Sequence, residues 1–293
     1  MEEVSIGDVL RATAGELVAG GETVRFQGVS TDSRTARAGD LFFAIRGPHF
    51  DGHRFIARAA EAGARGAIVS HLPEANGSSR PSTEFAVVRV GDTVRALGDL
   101  AAEYRRRFSP LTVAVTGTNG KTTAKEMIAA ALSSGYTTCR SQGNFNNLIG
   151  VPLSLFHLSA EHSALVVEFG MSALGEIARL AAISLPRIGV LTNIGPAHLA
   201  TLGTIEEVAQ AKAELFESLP DDGIALVNAD DPRVVSIGES WGGRTITYGT
   251  QEGAGVRGEA ITFAPGRTRF RLAGGPVVEL SLLGKGAVYG ALA

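Results

Sequence analysis

The chain has 293 residues, 44% hydrophobic and 19% charged, with a net charge of −3. That length suggests about two domains with real cores, and the composition is that of a globular protein in water. The small net charge gives no basis for broad binding to nucleic acid or an anionic membrane. A single cysteine, Cys139, excludes an intramolecular disulfide and fits a reducing cytosol.

The opening "MEEVSIGDVL" is acidic and lacks the apolar core of a signal peptide. No apolar run approaches the roughly 20 residues that span a bilayer, so a cytoplasmic protein without membrane insertion is expected. Residues 1–83 read as a small α/β domain. "DLFFAI" predicts a strand, "HRFIARAAEAGA" a helix and "GAIVS" another strand. His49 and His53 have four-residue spacing, but Pro48 and Gly52 spoil the helix that a zinc pair would need. The polar stretch His71–Thr83 has the composition of a domain joint. Residues 84–293 form the second expected domain. It opens with a strand, "EFAVVRV", and a helix, "DTVRALGDLAAEYRRRF", capped by Asp92. The run Arg105–Arg107 reads as the solvated C-terminus of that helix.

From Leu111 strands and helices alternate: "TVAVTG" and the helix after Lys121, "SALVVEFG" and a helix from about Leu174. "RIGVLTNIG" precedes the helix "TIEEVAQAKAELFESL", and "GIALVNADD" a shorter one. Such alternation predicts a mostly parallel sheet covered on both faces. The tail from Thr245 to Leu283 reads as a short antiparallel subsheet, beginning with "TITYG". "GAVYGALA" reads as the first turns of a helix without a stop signal. The fold class is therefore α/β, with a small N-terminal domain and a phosphate-loop central domain.

"VAVTGTNGKTTAKEM" carries the chemistry. A strand-to-helix turn directs backbone N–H groups at the helix N-terminus, where the dipole favours an anion. Gly117 and Gly120 let the backbone approach phosphate oxygens. Lys121 can reach β/γ-phosphates, and the Thr122 hydroxyl is placed for Mg²⁺. Val115 stands where the longer phosphate-loop pattern has its first glycine, so this is a shortened variant. Ligands of open parallel sheets bind outside the carboxyl ends of the strands. Glu168 and His198 each follow a strand there, Lys212 lies in the next helix, and Thr122, Glu168 and His198 form a plausible Mg²⁺ ligand set. Asn193 is either a turn residue or a ligand-orienting one. Asn144, Asn146 and Asn147 either bond their own loop or read a polar substrate.

The segments "GTNGKTT", "GNFNNLIGVPLSL", "VVEFGMSALGEI", "LTNIGPAHLATLGT" and "AKAELF" occur in the order and spacing of the Mur ligases of peptidoglycan synthesis, which the chain resembles over essentially its whole length. "STDSR", "AGDLFFAIRG" and "DGHRFI" in the first domain are similar to theirs. The asparagine loop and "EFGMSALGEI" are most like the member that joins D-Ala-D-Ala to UDP-N-acetylmuramoyl-tripeptide. The resemblance implies ATP-driven amide formation through an acyl phosphate, with Mg²⁺; a monomer is the expected state. It places Gly117, Thr118, Asn119, Gly120, Lys121, Thr122, Thr123 and Asn193 at the nucleotide. Catalytic roles fall to Lys121, Glu168, His198 and Lys212, the last matching a lysine open to carbamylation in the family. Asn144, Asn146 and Asn147 would face the muramoyl-peptide, and Ser30, Asp32, Ser33 and Arg34 the UDP end. Family members carry a third, C-terminal domain. The chain stops near the end of the central one, with Gly286-Ala287 where a His-Asn pair is common, so activity is expected of a longer protein. Competing readings are a sibling ligase adding another amino acid and a nucleotide or UDP-sugar binding fragment without turnover.

Overall fold

The computed structural model describes residues 1–72, 84–197 and 199–293. The chain divides into two compact units, Met1–Phe108 with Pro152–Ser159, and Ser109–Val151 with Ala160–Ala293. The division thus falls at Phe108/Ser109 rather than after residue 83. Strand pairing is the reason: Ala86–Arg89 is bonded to Gly66–Val69 on one side and to Glu16–Ala19 on the other.

In the first unit a five-stranded sheet runs in the spatial order Glu16–Ala19, Ala86–Arg89, Gly66–Val69, Asp40–Phe43, Gly28–Ser30. The last four are mutually parallel. Every residue of Asp40–Phe43 and of Gly66–Val69 is buried, as expected for parallel strands covered on both faces. The helix Thr93–Arg105 is capped as its sequence predicts, the Asp92 carboxylate accepting from the Val94 and Arg95 amides at 2.8 and 3.0 Å. The segment predicted as one helix from His53 begins as a 3₁₀ turn, Gly52–Phe55, and continues as the helix Ile56–Glu61. Pro152–Ser159 joins this unit through Tyr104, whose buried hydroxyl donates to the Leu158 carbonyl at 2.7 Å while its ring meets Phe156.

The second unit is built on a nine-stranded sheet. From one edge its parallel strands are Thr138–Arg140, Ala164–Glu168, Leu111–Thr116, Ile188–Leu191, Ile224–Asn228 and Arg244–Gly249. Leu111–Thr116 comes first in the chain yet lies inside the sheet. Later strands build outward on both sides of it, which makes its carboxyl end a topological switch point. The register aligns Glu168 with Val115 and Leu191 with Thr116, so three strand ends finish level there.

Arg244–Gly249, expected in the antiparallel tail, pairs parallel with Ile224–Asn228. The helix Pro232–Trp241 between them is the cause, because a strand that returns through a helical crossover re-enters in the same direction. The antiparallel subsheet comprises Val256–Ala264, Arg267–Leu272 and Val277–Leu280. Val256–Ala264 joins the two regimes, since its first residues pair parallel with Tyr248 and Gly249. The edge strand Thr138–Arg140 gives no sequence signal, being three residues long with only Cys139 fully buried. The terminal helix Lys285–Leu292 packs on Lys121–Leu132, with Gly290 allowing the close approach to Ala124 and Met127.

Candidate functional site

The turn after Leu111–Thr116 depends on two glycines in backbone conformations that other residues rarely adopt. Gly117 has φ +146°, and a Cβ there would lie 1.9 Å from the Thr192 hydroxyl oxygen. Gly120, at φ +79°, precedes the helix Lys121–Leu132, and no side chain caps that helix. Its N-terminal turn is therefore presented as an anion site of the kind backbone amides and the helix dipole create.

The loop is braced from the neighbouring strand. Asn193 forms a reciprocal pair with the Asn119 backbone, its carboxamide oxygen accepting from the amide and its NH₂ donating to the carbonyl, both at 2.9 Å. The Thr192 hydroxyl donates to the same carbonyl at 2.7 Å. Thr118 exchanges hydrogen bonds with the Gly195 backbone at 2.9 and 3.1 Å. The Asn193 carboxamide thus holds the loop through the Asn119 backbone.

Two lysines share one carbonyl. Lys121 Nζ donates to the carbonyls of Gly117 and Thr118 at 3.0 Å each, and Lys212 Nζ donates to Gly117 at 2.9 Å. Lys212 lies on the buried face of the helix Ile205–Glu217, together with Val208, Ala211, Leu215 and Phe216. Burial, aided by the nearby Lys121 charge, pushes its ammonium down to about 7. Burial also lowers Lys121, against the pull of Glu168.

Beside the loop, Glu168 is 2% exposed and its two oxygens are engaged from different elements. The Thr122 hydroxyl donates to Oε2 at 2.7 Å and the Asn146 carboxamide to Oε1 at 2.8 Å. Carboxylate, hydroxyl and a carboxamide that fixes the carboxylate's orientation are oxygen-rich chemistry suited to a hard divalent cation. Thr123 continues the first helical turn. The two other asparagines of the loop diverge from Asn146. Asn147 accepts from the amides of Ile149 and Gly150 at 3.1 and 2.8 Å, in the manner of a helix cap, while Asn144 is exposed and takes part through its carbonyl. His198 lies outside the described residues.

Sequence reasoning passes over Lys125. It is wholly buried, one turn beyond Lys121 on the same helix, and its ammonium donates to the carbonyls of Ser141 and Gly143 at 2.7 and 3.1 Å. The available signal was a lysine amid small residues on the packed side of that helix.

In the first unit a cavity of about 460 Å³ is lined by Asp32, Ser33, Arg34, Phe50, Phe55 and Arg58, among others. The Arg34 guanidinium holds the Asp32 carboxyl down at about 2. Ser30 shapes the turn below by hydrogen bonds to the Asp32 backbone at 2.9 and 3.2 Å. Asp51, His53 and His71 also cluster in this unit. There the two ring nitrogens of His53 are already engaged, by Asp51 at 2.5 Å and by the Ser70 amide at 2.9 Å.

Residues 115–293 match the Mur ligase middle domain, and residues 25–105 match the Mur ligase family catalytic domain. The chain belongs to the Mur ligase family. Among its relatives is a UDP-N-acetylmuramoyl-tripeptide–D-alanyl-D-alanine ligase of Synechocystis, 41% identical over 238 residues, which are 81% of this chain and 51% of that protein. A crystal structure of MurF from Acinetobacter baumannii superposes with a TM-score of 0.88 at 32% identity, covering 100% of this chain and 64% of the other. MurF from Thermotoga maritima, solved in complex with ADP, gives 0.79 at 29% identity over 90% of this chain and 61% of that one. The chain thus spans about half the length of the curated relatives it matches. Among the described residues no helix is long and apolar enough to cross a membrane.

Proposed function

We propose that this chain is the N-terminal and central part of an ATP-dependent ligase that joins D-Ala-D-Ala to UDP-N-acetylmuramoyl-tripeptide. The observation that carries the proposal is the meeting of Thr122, Glu168 and Asn146 beside the uncapped helix at Gly120. The names of the relatives supply the substrates, and the ADP complex of the Thermotoga protein supports the nucleotide.

In this reading the amides at the start of Lys121–Leu132 take the β- and γ-phosphates of ATP. Lys121 turns from the loop carbonyls to the γ-phosphate and neutralises charge as the phosphoryl group moves. Thr122 and Glu168 would hold Mg²⁺, with His198 as a further ligand. Magnesium, when bound, supplies the positive charge that offsets the repulsion between a carboxylate and the γ-phosphate. The tripeptide's terminal carboxylate attacks phosphorus and ADP leaves. The dipeptide amine then attacks the acyl carbon, loses a proton, and inorganic phosphate departs. Lys212, titrating near neutrality, presents enough free amine to add CO₂, forming an N–C bond and releasing a proton. The first unit's cavity, with three phenylalanines for a base and two arginines for phosphate, would receive the UDP end.

Phosphate release by the protein at the full length of its relatives tests the reading. Release that requires the UDP-linked tripeptide and D-Ala-D-Ala together is expected. ATP hydrolysis indifferent to both overturns it.

A further inference from the structure

A fully buried ammonium is costly unless its donors are all engaged, and Lys125 meets that condition with an unusual set of partners. Two of its hydrogen bonds go to Ser141 and Gly143, the carbonyls that open the asparagine loop. The third contact is Glu126 Oε1 at 2.9 Å, whose other oxygen pairs with Arg140 at 2.9 Å. From Ser141 and Gly143 two routes lead to Glu168, one to its backbone amide and one to its carboxylate. Ser141 Oγ accepts from the Glu168 amide at 3.3 Å. Gly143, in a left-handed conformation at φ +49°, leads within three residues to Asn146, which donates to Glu168 Oε1. Asn146 is gripped again by its carbonyl, which accepts from the Gly170 amide at 2.7 Å. A Cβ on Gly170 would lie 2.9 Å from the Asn146 carboxamide, so the fit leaves little slack.

We propose that Lys125 is a positioning residue for the cation site. It ties the asparagine loop to the phosphate-loop helix and thereby sets Asn146 on Glu168, fixing the carboxylate's orientation before a divalent cation arrives. The inference rests on the ligase reading above, in which Thr122 and Glu168 hold that cation.

The test is a titration of the 293-residue chain with Mn²⁺ in the presence of ADP, followed by electron paramagnetic resonance, beside a calorimetric titration with ADP alone. Lys125→Met is expected to weaken Mn²⁺ by roughly 10–100-fold, the range for outer-sphere partners of metal ligands, and to leave metal-free ADP affinity unchanged. Combined with Asn146→Ala, it is expected to add nothing to the effect of Asn146→Ala alone, since both act through one contact. Should Lys125→Met fail to fold, Lys125→Leu, which also removes the donors to Ser141 and Gly143, replaces it in the same cycle. Loss of fold in both variants overturns the inference and assigns the lysine to stability. Unchanged Mn²⁺ affinity, or fully additive effects, also overturns it while the ligase reading stands. A wild-type chain that takes up neither ADP nor Mn²⁺ overturns the ligase reading, and the inference falls with it.

Discussion

Lys121 and Lys212 donate to the same Gly117 carbonyl, and their different burial separates their chemistry. Lys121 lies at the loop end, where it can turn outward. Lys121→Ala in the full-length ligase should lower kcat roughly 10²–10³-fold, the effect of removing one donor to developing charge, with little change in a thermal melt. Lost stability with retained turnover would contradict the phosphate role. Lys212 is buried, and burial lowers its ammonium from the ordinary lysine value of 10.5 to about 7 in the folded chain. Between those values the unfolded chain binds the extra proton, so folding stability rises with pH, by at most about 1.4 kcal/mol per pH unit from this group. Urea melts between about pH 7 and 8, below the ordinary thiol value of about 8.5, should show that rise in the wild type and its loss in Lys212→Met. Equal slopes in the two proteins would contradict it. Neighbouring asparagines show what a sequence withholds at this scale. Asn146 and Asn147 are chemically identical, yet one reaches Glu168 and the other caps its own helix. Only the path of the loop decides between them. The partners of Lys125 were illegible for the same reason, because Ser141 and Gly143 come from beyond its own helix.

At the level of elements, the phosphate loop was readable because glycine, lysine and threonine sit between an apolar strand and a helix. The two glycines nevertheless answer to different constraints. An alanine at 120 meets nothing within 4 Å and suffers only the left-handed backbone, whereas one at 117 also strikes Thr192. Gly120→Ala should therefore cost about 1–2 kcal/mol. Gly117→Ala should cost at least about 3 kcal/mol and abolish ADP binding, as chemical denaturation and calorimetry can establish. Comparable losses at both positions would mean that the contact with Thr192 is not rigid. Strand direction in the tail was less legible. The alternation in "TITYG" specifies a strand but not its partner, and the helix Pro232–Trp241 makes Arg244–Gly249 parallel. Thr138–Arg140 is too short and polar to announce itself.

Across the whole molecule, the α/β class and the placing of the candidate site at the carboxyl ends of the strands follow from the order of apolar runs and helices, whereas the switch point is seen only in the sheet order. The place where the two units divide does not, because the polar stretch after His71 resembles a joint while pairing keeps Ala86–Arg89 with the first sheet. The curated relatives are about twice as long as the region they share with this chain, and the activity is accordingly proposed for a protein of that length. The phosphate loop, by contrast, is complete within the second unit. A crystal structure of this chain with Mg²⁺ and a non-hydrolysable ATP analogue tests that claim most directly. The phosphates should lie against the amides of residues 117–122, with Lys121 turned onto them and the cation between Thr122 and Glu168. A nucleotide bound elsewhere, or a loop still occupied by the Lys121 side chain at saturating analogue, would contradict the account.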